Sequence, residues 1–126
     1  MSDPRDVRRV QEKIFLQVVR GQRPWNELND FGWFIYRTPE AWVFQEEPLD
    51  PPVILSVQDI LQGAENLARD PVMLQQWAMF LMGSGDYELD ENTPEPDHDL
   101  LYDALWDFAF GDIPAGMERL GKLGNR

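Results

Sequence analysis

Residues 73–82 read Met-Leu-Gln-Gln-Trp-Ala-Met-Phe-Leu-Met, apolar on nearly every side of a helix except at Gln75 and Gln76. A helix with so little polar surface is stable only in the middle of a core, with other elements packed around it. Asp70-Pro71 ahead of it has the composition of an N-cap followed by a first-turn proline, and Gly83 supplies a stop. The remainder of the chain must therefore provide walls for this rod. The rod itself falls far short of the roughly 20 apolar residues that span a bilayer.

The walls can be read from periodicity. Val7, Val10, Ile14, Phe15 and Val18 recur at three- and four-residue spacing, which predicts an amphipathic helix opened by Asp3-Pro4 and stopped at Gly21. A short turn or half-helix is expected over 24–30. The aromatic and β-branched runs 32–36 and 41–45 flank the turn-type sequence Arg37-Thr38-Pro39-Glu40 and predict a β-hairpin. Val53-Ile54-Leu55 has the composition of a third short strand. Ser56 with Asp59 resembles a capping box opening a helix to about Ala68, within which Gly63 should cost about 1 kcal/mol relative to alanine. Residues 84–97 read as a polar acidic loop. Leu100, Leu101, Ala104, Leu105 and Phe108 mark another helix closed by Gly111, and a last one is expected from Pro114 to about Leu120. The expected fold is α+β and mainly helical, with four to five helices packed on one short aromatic-rich hairpin. The expected organisation is a single globular domain over 1–126, with residues 121–126 frayed.

The chain has 126 residues and no cysteine, which excludes disulfides, thiolate nucleophiles and cysteine-based zinc sites. No apolar segment of the kind found in secretory signals follows the polar start Met-Ser-Asp-Pro-Arg, so cytoplasm is the expected location. The formal net charge is −12, and it is unevenly placed. Residues 1–23 hold six basic against three acidic side chains, whereas residues 24–112 hold two basic against nineteen acidic ones. Such a field repels phosphate backbones and anionic membranes and attracts basic partners. Neither direct nucleic-acid binding nor membrane binding is therefore expected.

The densest acidic stretch is also the best candidate for function. Asp86, Glu88, Asp90 and Glu91 lie in the predicted loop, and Asp99, Asp103 and Asp107 follow at four-residue spacing on one helical face. Like charges so placed repel, and nothing in the local sequence offsets them. Tyr87, Tyr102 and Trp106 lie among these acids, and aromatic residues are typical anchors of protein interfaces. These ten residues form the expected partner surface; the alternative is a merely solvated face. Asp86, Glu88, Asp90 and Asn92 match the odd positions of a calcium loop, but Glu91 stands where glycine is required and prolines intervene. His98 is the only histidine, and Gly83-Ser84-Gly85 is not a nucleophile elbow. No metal, cofactor or catalytic residue is assigned.

The aromatic group Trp25, Phe31, Trp33, Phe34, Tyr36, Trp42 and Phe44 is the second candidate. Alternation puts Trp33 and Ile35 on one hairpin face and Phe34 and Tyr36 on the other, so the hairpin is either covered on both sides or offers a docking face or edge.

The function expected from these features is binding rather than catalysis. The first reading is an inhibitor or immunity-type protein that neutralises a basic partner such as a nuclease toxin. The second is a structural or adaptor subunit, possible as a homodimer, that self-associates through its apolar hairpin and helices. The third is a DNA mimic with regularly spaced carboxylates, and the fourth an enzyme working through acidic residues.

Overall fold

The computed structural model describes residues 4–38, 42–44 and 49–124. The elements run in the order α1 (Pro4–Val19), a 3₁₀ helix (Trp25–Phe31), β1 (Ile35–Arg37), β2 (Trp42–Phe44), β3 (Val53–Leu55), α2 (Val57–Leu67), α3 (Pro71–Gly83), β4 (Tyr87–Leu89), α4 (Glu95–Ala109) and α5 (Ile113–Gly124). The mainly helical α+β architecture expected from the sequence is the one observed. No helix among the described residues is long and apolar enough to cross a membrane.

The apolar rod is α3, capped by the Asp70 side chain on Met73 N and begun by Pro71. Leu74, Trp77, Ala78, Phe80 and Leu81 are buried, with α2, α4 and β2 packed against the helix. Its two polar interruptions both tie it to neighbours. Gln75 Nε2 donates to Ala109 O at 2.9 Å, and Gln76 Oε1 accepts from Trp25 Nε1 at 3.0 Å. Phe15 of α1 is the aromatic centre of the core, with its ring 6.3 Å from Trp33, 6.0 Å from Phe80 and 6.2 Å from Tyr87.

The capping box at Ser56 and Asp59 is present and opens α2. Gly63 plays a different part from a weak point in that helix. It is buried where α1 ends against α2, and a Cβ there would lie 2.0 Å from Val19 O and 2.7 Å from the Trp77 ring. Trp77 Nε1 donates to the same Val19 carbonyl at 3.0 Å, so α1, α2 and α3 meet at this glycine. A side chain would force them apart.

Four expectations change, the last of them in the hairpin. The apolar stripe of α1 is buried only at Ile14, Phe15, Val18 and Val19, whereas Val7 and Val10 stay 45% and 47% exposed. The Asp3 cap lies outside the described residues. The acidic loop is interrupted by β4, which pairs in parallel with β3 in the register Val53↔Tyr87, Ile54↔Glu88, Leu55↔Leu89. Helix α5 runs on to Gly124 because Leu123 is buried, so the expected frayed tail is helical over 121–124 and otherwise outside the described residues.

The hairpin forms, with its first strand starting later than predicted and its second within the expected 41–45, whose end residues lie outside the described ones; Ile35↔Phe44, Tyr36↔Val43 and Arg37↔Trp42 are the antiparallel partners. Gly32 and Trp33 instead close the 3₁₀ helix, through Trp33 N to Leu28 O at 3.3 Å. Trp33 and Ile35 are buried and Phe34 and Tyr36 face outward, so one face is covered and one open. The edge of β1 is blocked at Ile35. The Asn29 amide donates to Ile35 O at 3.0 Å and accepts from Ile35 N at 2.9 Å, as a neighbouring strand would. Trp25 and Trp42 meet edge-on at 4.5 Å, partly buried against the core. The Phe44 side chain lies outside the described residues.

Candidate functional site

Helix α4 begins after Pro94 with Glu95 and Asp97 in its first turn, where the helix dipole favours negative charge. It ends in a Schellman closure: Asp112 N bonds Asp107 O at 2.8 Å and Gly111 N bonds Phe108 O at 3.0 Å. Gly111 has φ 86°, which glycine adopts without strain. Leu101, Ala104, Leu105, Phe108 and Ala109 face inward on α3 and α5. The opposite face carries two parallel rows. One is Asp99, Asp103 and Asp107; the other is Tyr102, Trp106 and Phe110. Four residues of helix advance about 6 Å, so each row has one group per turn.

The aromatic row is exposed: Tyr102 and Trp106 at 49% and Phe110 at 75%. The Trp106 and Phe110 rings stack at 5.0 Å, 11° from parallel. Trp106 differs from its fellows in a second way. Trp25, Trp33, Trp42 and Trp77 give their indole N–H to Gln76 Oε1, Asp86 Oδ2, Met79 Sδ and Val19 O. Among the described residues, no acceptor is placed for Trp106. Phe110 was not among the residues expected at the site, although its spacing of four from Trp106 was readable; it follows the buried Phe108 and Ala109 and so reads as more core.

The acidic row is not the unopposed stripe expected. Arg119 of α5 donates from Nε to Asp107 Oδ2 at 2.7 Å and from Nη1 to Asp103 Oδ2 at 3.4 Å. The bond to Asp107 also holds the Arg119 guanidinium above its ordinary pKa, with the negative charges of Asp107, Asp103 and Glu118 adding to it. The repulsion along α4 is thus offset from 12 and 16 residues away in sequence. Asp107 is part of the α4–α5 joint, Asp103 stays half exposed, and Asp99 faces outward.

Asp86 leaves the proposed surface altogether. It is 2% exposed, and its carboxyl oxygens accept from Trp33 Nε1 at 3.0 Å, Leu49 N at 2.8 Å and Ser84 Oγ at 3.0 Å. It ties the loop before β3, the segment before β1 and the start of β4 together. That also removes the first position of the calcium-loop count, and no three His, Asp or Glu side chains among the described residues are grouped to hold a metal ion. Ser84, which lines one hollow together with His98, directs its hydroxyl to Asp86.

The other expected residues divide between two shallow hollows. Tyr87, Glu88, His98 and Tyr102 line one of about 350 Å³ between β4 and α4. Tyr87 donates to Leu81 O at 2.7 Å, and burial, with Tyr102 adding to it, pushes its phenol well above the ordinary value. Glu88, Asp90 and Glu91 border the second, of about 330 Å³, with Ile54 and Asn92. Asp90 caps its own turn by accepting from Asn92 N at 2.9 Å. The structure therefore brings Tyr102 together with Glu88 at one end of α4, and Asp99, Asp103 and Trp106 together along it. Comparison with protein families, with curated proteins and with solved structures returns no match.

Proposed function

We propose that this chain is a cytoplasmic binding protein that docks a basic protein on the outer face of α4, as an inhibitor or immunity-type protein neutralises a cationic enzyme. The reading rests on one observation: Trp106 and Phe110 are stacked and exposed beside Asp99 and Asp103, while the other four tryptophans have internal acceptors. Exposed stacked rings flanked by carboxylates suit a guanidinium or ammonium group, which gains from both the ring face and the charge. The net charge of −12 would steer such a partner in from a distance. The DNA-mimic reading is less favoured, because Arg119 already neutralises part of the regular carboxylate row.

The test is capture from the native lysate at low and high salt, followed by titration of what is captured. Trp106→Ala and the pair Asp99→Asn with Asp103→Asn should each weaken binding at least about tenfold, near 1.4 kcal/mol, while leaving the thermal melt intact. Asp107 is left unchanged because it holds Arg119. A basic protein that binds both variants as tightly as the wild type would sink the assignment.

A further inference from the structure

Helix α1 carries a basic row with the same spacing as the acidic row of α4. Arg5, Arg9 and Lys13 stand four residues apart on its outer side, as Asp99, Asp103 and Asp107 do on α4. Val10, one turn before Lys13, and Val7 beyond it toward the core are 47% and 45% exposed. With Phe31, Gln11 and Asp6 they line a shallow, mostly apolar groove of about 340 Å³. Gln11 holds the groove wall in place, donating from Nε2 to Phe31 O at 3.0 Å. Asp6 is the one acid on the rim, and Arg9 stands 3.9 Å from it.

We propose that this groove receives the α4 ridge of a second copy of the chain, with Trp106 and Phe110 against Val7, Val10 and Phe31 and with Arg9 and Lys13 facing Asp99 and Asp103. Charge complementarity selects this occupant. The first 23 residues are net positive in an otherwise strongly acidic molecule, and the ridge is an exposed aromatic surface that, unlike the Phe34 and Tyr36 face of the hairpin, has acids at the matching spacing. The basic row of α1 and the acidic row of α4 both repeat every four residues over about 6 Å, so successive charges stay in step along the contact. An extended segment fits α4 less well, since a helix face offers no main-chain partners for a strand's N–H groups. Repulsion between two copies of charge −12 is screened beyond about 8 Å at physiological salt, which leaves the facing charges to decide. The two surfaces differ, so the contact is head-to-tail, and each copy keeps one groove and one ridge for further addition. The inference shares the α4 ridge with the proposed function but does not depend on it; a foreign basic partner would compete with self-assembly.

Sedimentation velocity of the full chain at physiological salt, up to about 1 mM protein, tests it. The wild-type weight-average mass should rise with concentration past that of a dimer and fall back at high salt. Val10→Asp destroys the groove and Trp106→Ala the ridge, so each variant alone should remain monomeric. Mixed one to one, they should form a dimer and stop there, because only one intact groove and one intact ridge remain between them. That mixture also shows that both variants are folded. A wild type that stays monomeric, a wild type that stops at a dimer, or a mixture that stays monomeric overturns the proposal. Capture of a basic partner in any of these cases leaves the earlier reading standing by itself.

Discussion

Three donors from three separate segments converge on the Asp86 carboxyl group: Trp33 Nε1, Leu49 N and Ser84 Oγ. Removing the carboxyl leaves the buried Trp33 N–H and the part-buried Leu49 N–H and Ser84 hydroxyl without this acceptor, at about 1–3 kcal/mol for each donor left unpaired out of reach of water. Asp86→Ala should therefore lower the urea midpoint by the equivalent of about 3 kcal/mol or more, whereas Glu88→Ala, two residues on and exposed, should stay within about 0.5 kcal/mol. Equal effects in urea denaturation would show that Asp86 is not the tie it looks to be. In sequence the two residues are indistinguishable members of one acidic run. Their difference arises from donors 53 and 37 residues away, which no local pattern encodes.

At the scale of elements, legibility follows from how local the deciding contact is. The capping box of α2 and the proline-started α3 were readable because cap, proline and apolar period lie within a few residues of one another. Strand β4 was not, because three residues carry too little alternation and its partner β3 lies 34 positions earlier. The exposed start of α1 was also hidden, since a stripe of valines does not show where its covering neighbour ends. Asp59 combines both kinds of contact: it caps α2 locally and pairs with Arg20 of the α1 end at 2.8 Å. Burial raises its carboxyl pKa, but the bonds from Ser56 and Arg20 outweigh this and bring it below the ordinary value. A carboxyl lowered on folding stabilises the protein above the unfolded value of about 3.9, and this contribution is lost as pH falls through the folded value. Arg20→Gln should thus cost up to about 1 kcal/mol at neutral pH. The gap to the wild type should shrink below about pH 4. Urea denaturation at pH 7 and pH 3 checks this; a gap that is the same at both would exclude titration of Asp59 as its source.

For the whole molecule, the sequence reading captured the mainly helical α+β architecture and the central place of α3. Of the candidate surface, the α4 rows were legible in sequence but not their boundary, since Arg119 enters only once α4 and α5 are packed and Phe110, next to the buried Phe108 and Ala109, reads as core. Charge acts at this scale too. Within 24–112 the excess of acids is met by few internal cations, so the native state carries its own repulsion, which salt screens. The melting temperature should rise as sodium chloride is added from about 10 mM to about 150 mM, where the Debye length falls from about 30 Å to about 8 Å. A melting temperature that falls over this range, measured by circular dichroism, would mean that the ion pairs of Arg20, Arg23 and Arg119 outweigh the general repulsion.

The parallel pairing of β3 with β4 sets an order of assembly. Two strands of three residues each cannot hold together alone, and the chain between them contains all of α2 and α3. Joining them closes a long loop, and that entropy is recovered only after both helices have docked. The hollow bounded by Glu88, His98 and Tyr102 needs β4 in place, so it belongs to the late stages of folding, whereas the Trp106–Phe110 stack needs only one turn of α4. A nascent or partly unfolded chain would therefore show its aromatic ridge before the hollow between β4 and α4 is complete.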